Sequence, residues 1–202
     1  VPSLRAAPGV ATVRQPVDYR RHSATAAPYG SVTSEHVSGV SAWHERGLLG
    51  AGAKVGIIDI FDAAVLDQQV ALGDLAPIPA ERRMCSSLGV PCPFGTPGFR
   101  HGNAVAEVIH DTAPGVELYL AEVATLYDYY VAINWFAARG VQIINHSSTG
   151  PFDGPGDGTG PSAQVVDHAV NNGIAWFNSA GNSASDPAYT RFAGAYHRLL
   201  WN

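Results

Sequence analysis

Short apolar runs alternate with helix-length amphipathic segments through most of this chain, and that alternation restricts the fold more than any other feature. Val55-Gly56-Ile57-Ile58 contains no polar side chain, as a strand buried on both faces of a parallel sheet requires. The strand it belongs to spans 53–59, and further strands are predicted over 116–123, 141–145 and 174–178. Between them the spacing predicts helices over 101–111, 127–139 and 161–172. Ala113-Pro114-Gly115, Gly140 and Gly173 end these helices, and Pro161 suits the first position of the last one. Ala104, Val105, Val108 and Ile109 form the expected apolar side of the first helix, and Val131, Trp135 and Ala138 that of the second. Strands and helices in this order predict an α/β fold: an open, mostly parallel sheet with helices on both faces and right-handed crossovers.

Two units follow from the rest of the chain. Residues 1–33 are rich in Ala, Pro, Ser, Thr and Arg without sustained periodicity, and read as an extended arm or linker, such as the tail of a pro-segment. Residues 34–202 form the folded unit, opening with a short helix marked by Val37, Val40, Trp43 and His44 and closed by Gly47 and Gly50. Residues 60–100 read as a long irregular loop. At 202 residues and 46% hydrophobic content the chain can bury one full core. Its net charge is −5 and its only lysine is Lys54, so a basic nucleic-acid surface is not expected. No apolar run is long enough to span a bilayer, and the first residues lack the apolar segment of a secretory signal. The sequence starts without methionine, as a processed or partial product would.

Cys85 and Cys92 share the 60–100 segment. They are either two reduced thiols or a disulfide closing an eight-residue loop, worth roughly 2–3 kcal/mol by chain entropy. The disulfide is favoured, and with it a secreted or extracytoplasmic protein.

Three residues carry the candidate chemistry. Asp59 ends the first strand, at the sheet edge where open α/β folds bind ligands. It reads as a loop-anchoring acid, as a magnesium ligand together with nearby Asp62, or as an acid that orients a histidine. His101 opens a helix at the same edge, and Gly102 after it leaves room for another backbone or a substrate. Asn182, in Ala180-Gly181-Asn182 after a buried strand, is either a turn residue or an amide donor to a developing oxyanion.

Taken in order, these segments resemble the subtilisin-like serine peptidases from about residue 34 to the C-terminus. Gly56-Ile57-Ile58-Asp59 is similar to that family's first motif. His101-Gly102-Asn103-Ala104-Val105-Ala106 with Ala113-Pro114-Gly115-Val116 is similar to its second. Ile143-Ile144-Asn145-His146-Ser147-Ser148 resembles the strand before the substrate segment, and Ala180-Gly181-Asn182 the oxyanion motif. Two departures stand out: Asn103 replaces the family threonine, and the acidic Asp59-Ile60-Phe61-Asp62 replaces the usual small residues after the aspartate. The resemblance implies a serine endopeptidase in which Asp59 orients His101, His101 is the general base and then acid, and Asn182 is an oxyanion donor. It also implies that Ser147, Ser148 and Thr149 pair through their backbones with an extended peptide or protein substrate.

The family's Gly-Thr-Ser-x-Ala nucleophile motif does not follow. After Asn182 only Ser183 and Ser185 occur, and Ser147 and Ser179 stand in strand-end segments with other roles. The chain therefore reads as the N-terminal portion of a catalytic domain, inactive alone. It is expected to self-associate or to need a missing C-terminal segment, because Val55, Ile57, Ile144 and Trp176 would have neighbours on one side only. Two other readings are open: a pseudopeptidase or peptide-binding module that keeps the cleft, and a magnesium-dependent phosphotransferase using Asp59 and Asp62. No cofactor and no metal are expected; Asp153 and Asp157 fit no firm calcium pattern. Neither nucleic acid nor membrane is expected as a partner.

Overall fold

The structure, a computed structural model, describes residues 20–21, 39–149 and 157–179. In chain order the elements are β1 (Arg20–Arg21), α1 (Ser41–His44), β2 (Lys54–Ile58), α2 (Ala63–Leu72), β3 (Arg83–Ser87), β4 (Val90–Pro91), α3 (His101–Thr112), β5 (Glu117–Val123), α4 (Leu126–Ala137), β6 (Ile143–His146), β7 (Ser148–Thr149), α5 (Pro161–Asn171) and β8 (Ala175–Asn178). Six strands form one sheet in the order β4-β3-β5-β2-β6-β8. All neighbours run parallel except β3 and β4, which form an antiparallel pair.

The open, mostly parallel α/β sheet predicted above is therefore present. Its two faces follow from the two-residue period of the central strand. Val55 and Ile57 of β2 join Leu118 and Leu120 of β5 against Leu66 of α2 and Ala106 of α3. Ile58 joins Tyr119, Ala121 and Ile144 against Tyr129, Ala132, Ile133 and Phe136 of α4 and Val165 and Ala169 of α5. Gly56 lies on this second side because the ring of Phe136 packs onto it: a β-carbon there would stand 2.8–3.0 Å from three ring atoms.

Several expectations are corrected. Residues 60–100 are not one irregular loop: they hold α2, a 3-10 turn at Ala80–Arg82, the edge strand β3 and the β3–β4 hairpin. Helix α2 is started by Asp62, whose carboxylate accepts hydrogen bonds from the N–H groups of Ala64 and Val65, the N-cap arrangement. Of the helix expected over 37–44, Ser41–His44 is helical, and residues 37 and 38 lie outside the described residues. Val55, Ile57 and Ile144 are buried between two helical layers rather than covered on one side; Trp176 alone of that group is half-buried. In α4 the buried positions are Asp128, Tyr129, Ala132, Ile133 and Phe136, while Ala138 is exposed. In α3 they are Gly102, Asn103 and Ala106, and Val108 is exposed.

Cys85 and Cys92 are joined by a disulfide with Cα atoms 5.0 Å apart. Asp128 holds the same hairpin from α4. Its carboxylate accepts the Ser86 hydroxyl at 2.6 Å and the N–H groups of Leu88 and Gly89, and closes a capping box with Thr125. Burial would raise the Asp128 carboxyl, but the Ser86 and Thr125 hydroxyls and the N–H groups of Gly89 and Leu88 outweigh it and hold the group at about 2. Of the arm predicted over 1–33, only Arg20–Arg21 falls among the described residues, where it pairs antiparallel with β7.

Candidate active site

The topology makes a crevice at the carboxyl ends of β2 and β5. The chain leaves β2 toward the α2 and α3 side and leaves β5 toward the α4 side, so neighbouring strands diverge there. Such a switch point is where open α/β sheets place their sites. Asp59 is the first residue after β2, and its N–H donates to the carbonyl of Ala121 in β5. Sheet pairing thus continues to the residue that carries the acid.

Asp59 and His101 meet in this crevice. The His101 Nδ1 lies 2.7 Å from Asp59 Oδ2, with the Asp59 side chain at 0% exposure and the imidazole at 18%. The other carboxylate oxygen, Oδ1, accepts the N–H of Ile60 at 2.8 Å. An ionised carboxylate only accepts, so Nδ1 carries the proton in this pair and the lone pair of the neutral ring lies on Nε2. That is the tautomer a general base needs.

The loop after Asp59 is locked by polar groups. Glu122, buried at the end of β5, accepts the N–H of Phe61 at 2.8 Å and that of Gly95 at 3.0 Å. Asp62 Oδ2 accepts the N–H of Gly98 at 2.8 Å. That bond, ahead of those from Val65 and Ala64, lowers the Asp62 carboxyl against its desolvation. Both Asp62 oxygens thus serve backbone N–H groups, Oδ1 as the cap of α2 and Oδ2 toward Gly98. Among the described residues no group of three or more His, Cys, Asp or Glu side chains could hold a metal ion.

Of the proposed substrate segment, Ser148 and Thr149 form β7, with Arg21 opposite Ser148 and Arg20 opposite Thr149. The Ser147 hydroxyl donates to Asn145 Oδ1. Ser148 Oγ lies 2.8 Å from His146 Nε2, which the Tyr129 hydroxyl also reaches at 2.9 Å. His146 Nδ1 bonds Asn178 Oδ1, so a buried imidazole ties the ends of β6, β7, β8 and α4 together. His146 sits opposite Ile58 in register, one residue before Asp59. Ser179 Oγ is buried. Asn182, Asp153, Ser183 and Ser185 lie outside the described residues.

Sequence reasoning missed Glu122 and His146. Each had a local signal: an acid near the end of an otherwise apolar strand, and a histidine between Ile143-Ile144-Asn145 and two serines. Neither signal identifies its partners, which come from other parts of the chain.

No protein-family model matches this chain, and no curated protein matches it.

Proposed function

We propose that this chain carries the acid and base of a subtilisin-like serine endopeptidase. The observation that carries the reading is the 2.7 Å contact between His101 Nδ1 and the buried Asp59 carboxylate at the carboxyl edge of a parallel sheet. Asp59 fixes the ring and stabilises the imidazolium as it forms. His101 Nε2 takes the proton from a serine hydroxyl and later returns it to the departing amine. Asn182 donates to the oxyanion, and an extended peptide pairs with the backbone of residues 147–149. The antiparallel pairing of Arg20–Arg21 with Ser148–Thr149 supports this last role, since that edge accommodates an extended chain.

The hydroxyls of Ser147 and Ser148 bond Asn145 and His146 rather than His101. This reading requires a nucleophilic serine in a Gly-Thr-Ser-x-Ala segment, which residues 1–202 do not contain. The protein belongs to the extracytoplasmic class that tolerates disulfides, in keeping with Cys85–Cys92. The same strand pairing favours a second reading, a peptide-binding module that keeps the edge without the chemistry.

The test is to express the reading frame through its natural stop and assay peptide hydrolysis and fluorophosphonate labelling. One labelled serine in such a segment is expected, and His101→Ala should lower kcat by roughly 10⁴-fold or more. A stop codon directly after Asn202 with no labelling would leave the binding module and sink the peptidase.

A further inference from the structure

We propose that Asn103 is a positioning residue for the Asp59–His101 couple, clamping the loop after Asp59 to the helix that opens with His101. The inference rests on the peptidase reading for the chemistry it serves. Its structural content is independent of that reading.

Three consecutive residues of α3 dock on the loop. His101 bonds Asp59, the N–H of Gly102 donates to the Ile60 carbonyl at 3.0 Å, and Asn103 grips Asp62. Asn103 uses its side-chain amide on both polar groups of one residue. Its Oδ1 accepts the Asp62 N–H at 2.9 Å, and its Nδ2 donates to the Asp62 carbonyl at 3.1 Å. The second Nδ2 proton goes to Gln69 Oε1 at 3.2 Å, and Gln69 in turn donates to Glu107 one turn further along α3. The amide oxygen and both N–H donors are therefore satisfied, which fixes its orientation. The side chain is fully buried.

Asn103 is one of the two departures from the family pattern the sequence resembles, and Asp62 lies in the other, the segment after Asp59. In the fold the two departures are partners. The amide meets the N–H and the C=O of Asp62 with two separate atoms, an acceptor and a donor. A β-carbon on Gly102 would stand 2.7 Å from the Ile60 carbonyl oxygen and 2.6 Å from the Phe61 ring, so contact between helix and loop is at its closest there. Sliding α3 along this loop is resisted at Gly102 by a single backbone bond and at Asn103 by two bonds from a buried amide. The imidazole, partly open to water, depends on both for its alignment with Asp59.

The experiment is proton NMR of the 202-residue chain with ¹⁵N-labelled histidine, following the downfield His101 Nδ1–H resonance and its exchange with water. Asn103→Ala should broaden that resonance and speed its exchange roughly fivefold to tenfold, as the loss of one net hydrogen bond implies. Val165→Ala, which opens a cavity in the core between α5 and the other face of the sheet, should leave exchange unchanged at a temperature where both variants are folded by circular dichroism. Asn103→Asp, able to accept from Asp62 N–H and unable to donate to its carbonyl, should fall between. If Asn103→Ala does not fold, Gln69→Ala, which frees the amide to turn, should give a smaller acceleration in the same direction. Wild-type exchange in Asn103→Ala, or equal acceleration in Val165→Ala, overturns the positioning role and leaves the peptidase reading standing. Absence of the resonance from the wild-type chain removes the couple itself, and both readings with it.

Discussion

At the scale of single residues, the molecule uses buried carboxylates as anchors for backbone and, at Asp59, for an imidazole. Asp62, Glu122 and Asp128 each accept N–H groups from segments distant in sequence, while Asp59 alone meets an imidazole. Asp128 gives the clearest pH signature. Its carboxyl is held at about 2 in the folded chain, against roughly 3.9 for an unfolded aspartate. Its contribution to stability is therefore complete above about pH 4 and is lost as the pH falls toward 2. Urea unfolding at stepped pH should show this decline, and Asp128→Asn should flatten it; equal slopes in both proteins would refute the assignment. Glu107 behaves oppositely: burial raises its carboxyl, with the Gln69 hydrogen bond opposing. The Asp59–His101 pairing was legible in the sequence because each residue sits at an element boundary the hydrophobic pattern marks. Glu122, His146 and the grip of Asn103 were not, since their meaning lies in partners 61, 17 and 41 residues away.

At the scale of elements, the central strand is shaped by one contact. Gly56 is not a flexible point but the seat of the Phe136 ring. Gly56→Ala forces the ring or the strand to move and should cost about 1–3 kcal/mol, as overpacking does. Thermal melts should show the loss, and pairing the change with Phe136→Leu should recover part of it because the two sites share one contact. Strands β2, β5, β6 and β8 and helices α3, α4 and α5 were readable because long parallel-sheet elements repeat a simple period. The segment after Asp62 was not. Its prolines and glycines punctuate short elements, and read alone they suggest a loop; the ordering comes from the Asp62 cap, the disulfide and the carboxylate of Asp128. Helix faces were read one position off because the apolar side of α4 is shared between two layers, the sheet and α5.

At the scale of the whole molecule, the sheet is unevenly finished. Its centre is covered on both faces, whereas β8 has a strand on one side only among the described residues, with Phe177 59% exposed and Val170 exposed on the adjoining α5. Unpaired, apolar strand edges recruit other chains. Sedimentation of the 202-residue chain should therefore show concentration-dependent association. Phe177→Lys should weaken it without lowering the melting temperature. A single monomeric species at all concentrations would contradict this.

The central position of β2 has a consequence for biosynthesis. Both of its neighbours, β5 and β6, emerge from the ribosome after it, and β5 also after His101. Contacts so far apart in sequence form slowly. Until β5 and β6 have been translated, β2 lacks both of its neighbours, and the sheet edge at which Asp59 meets His101 has no partner strands to form it.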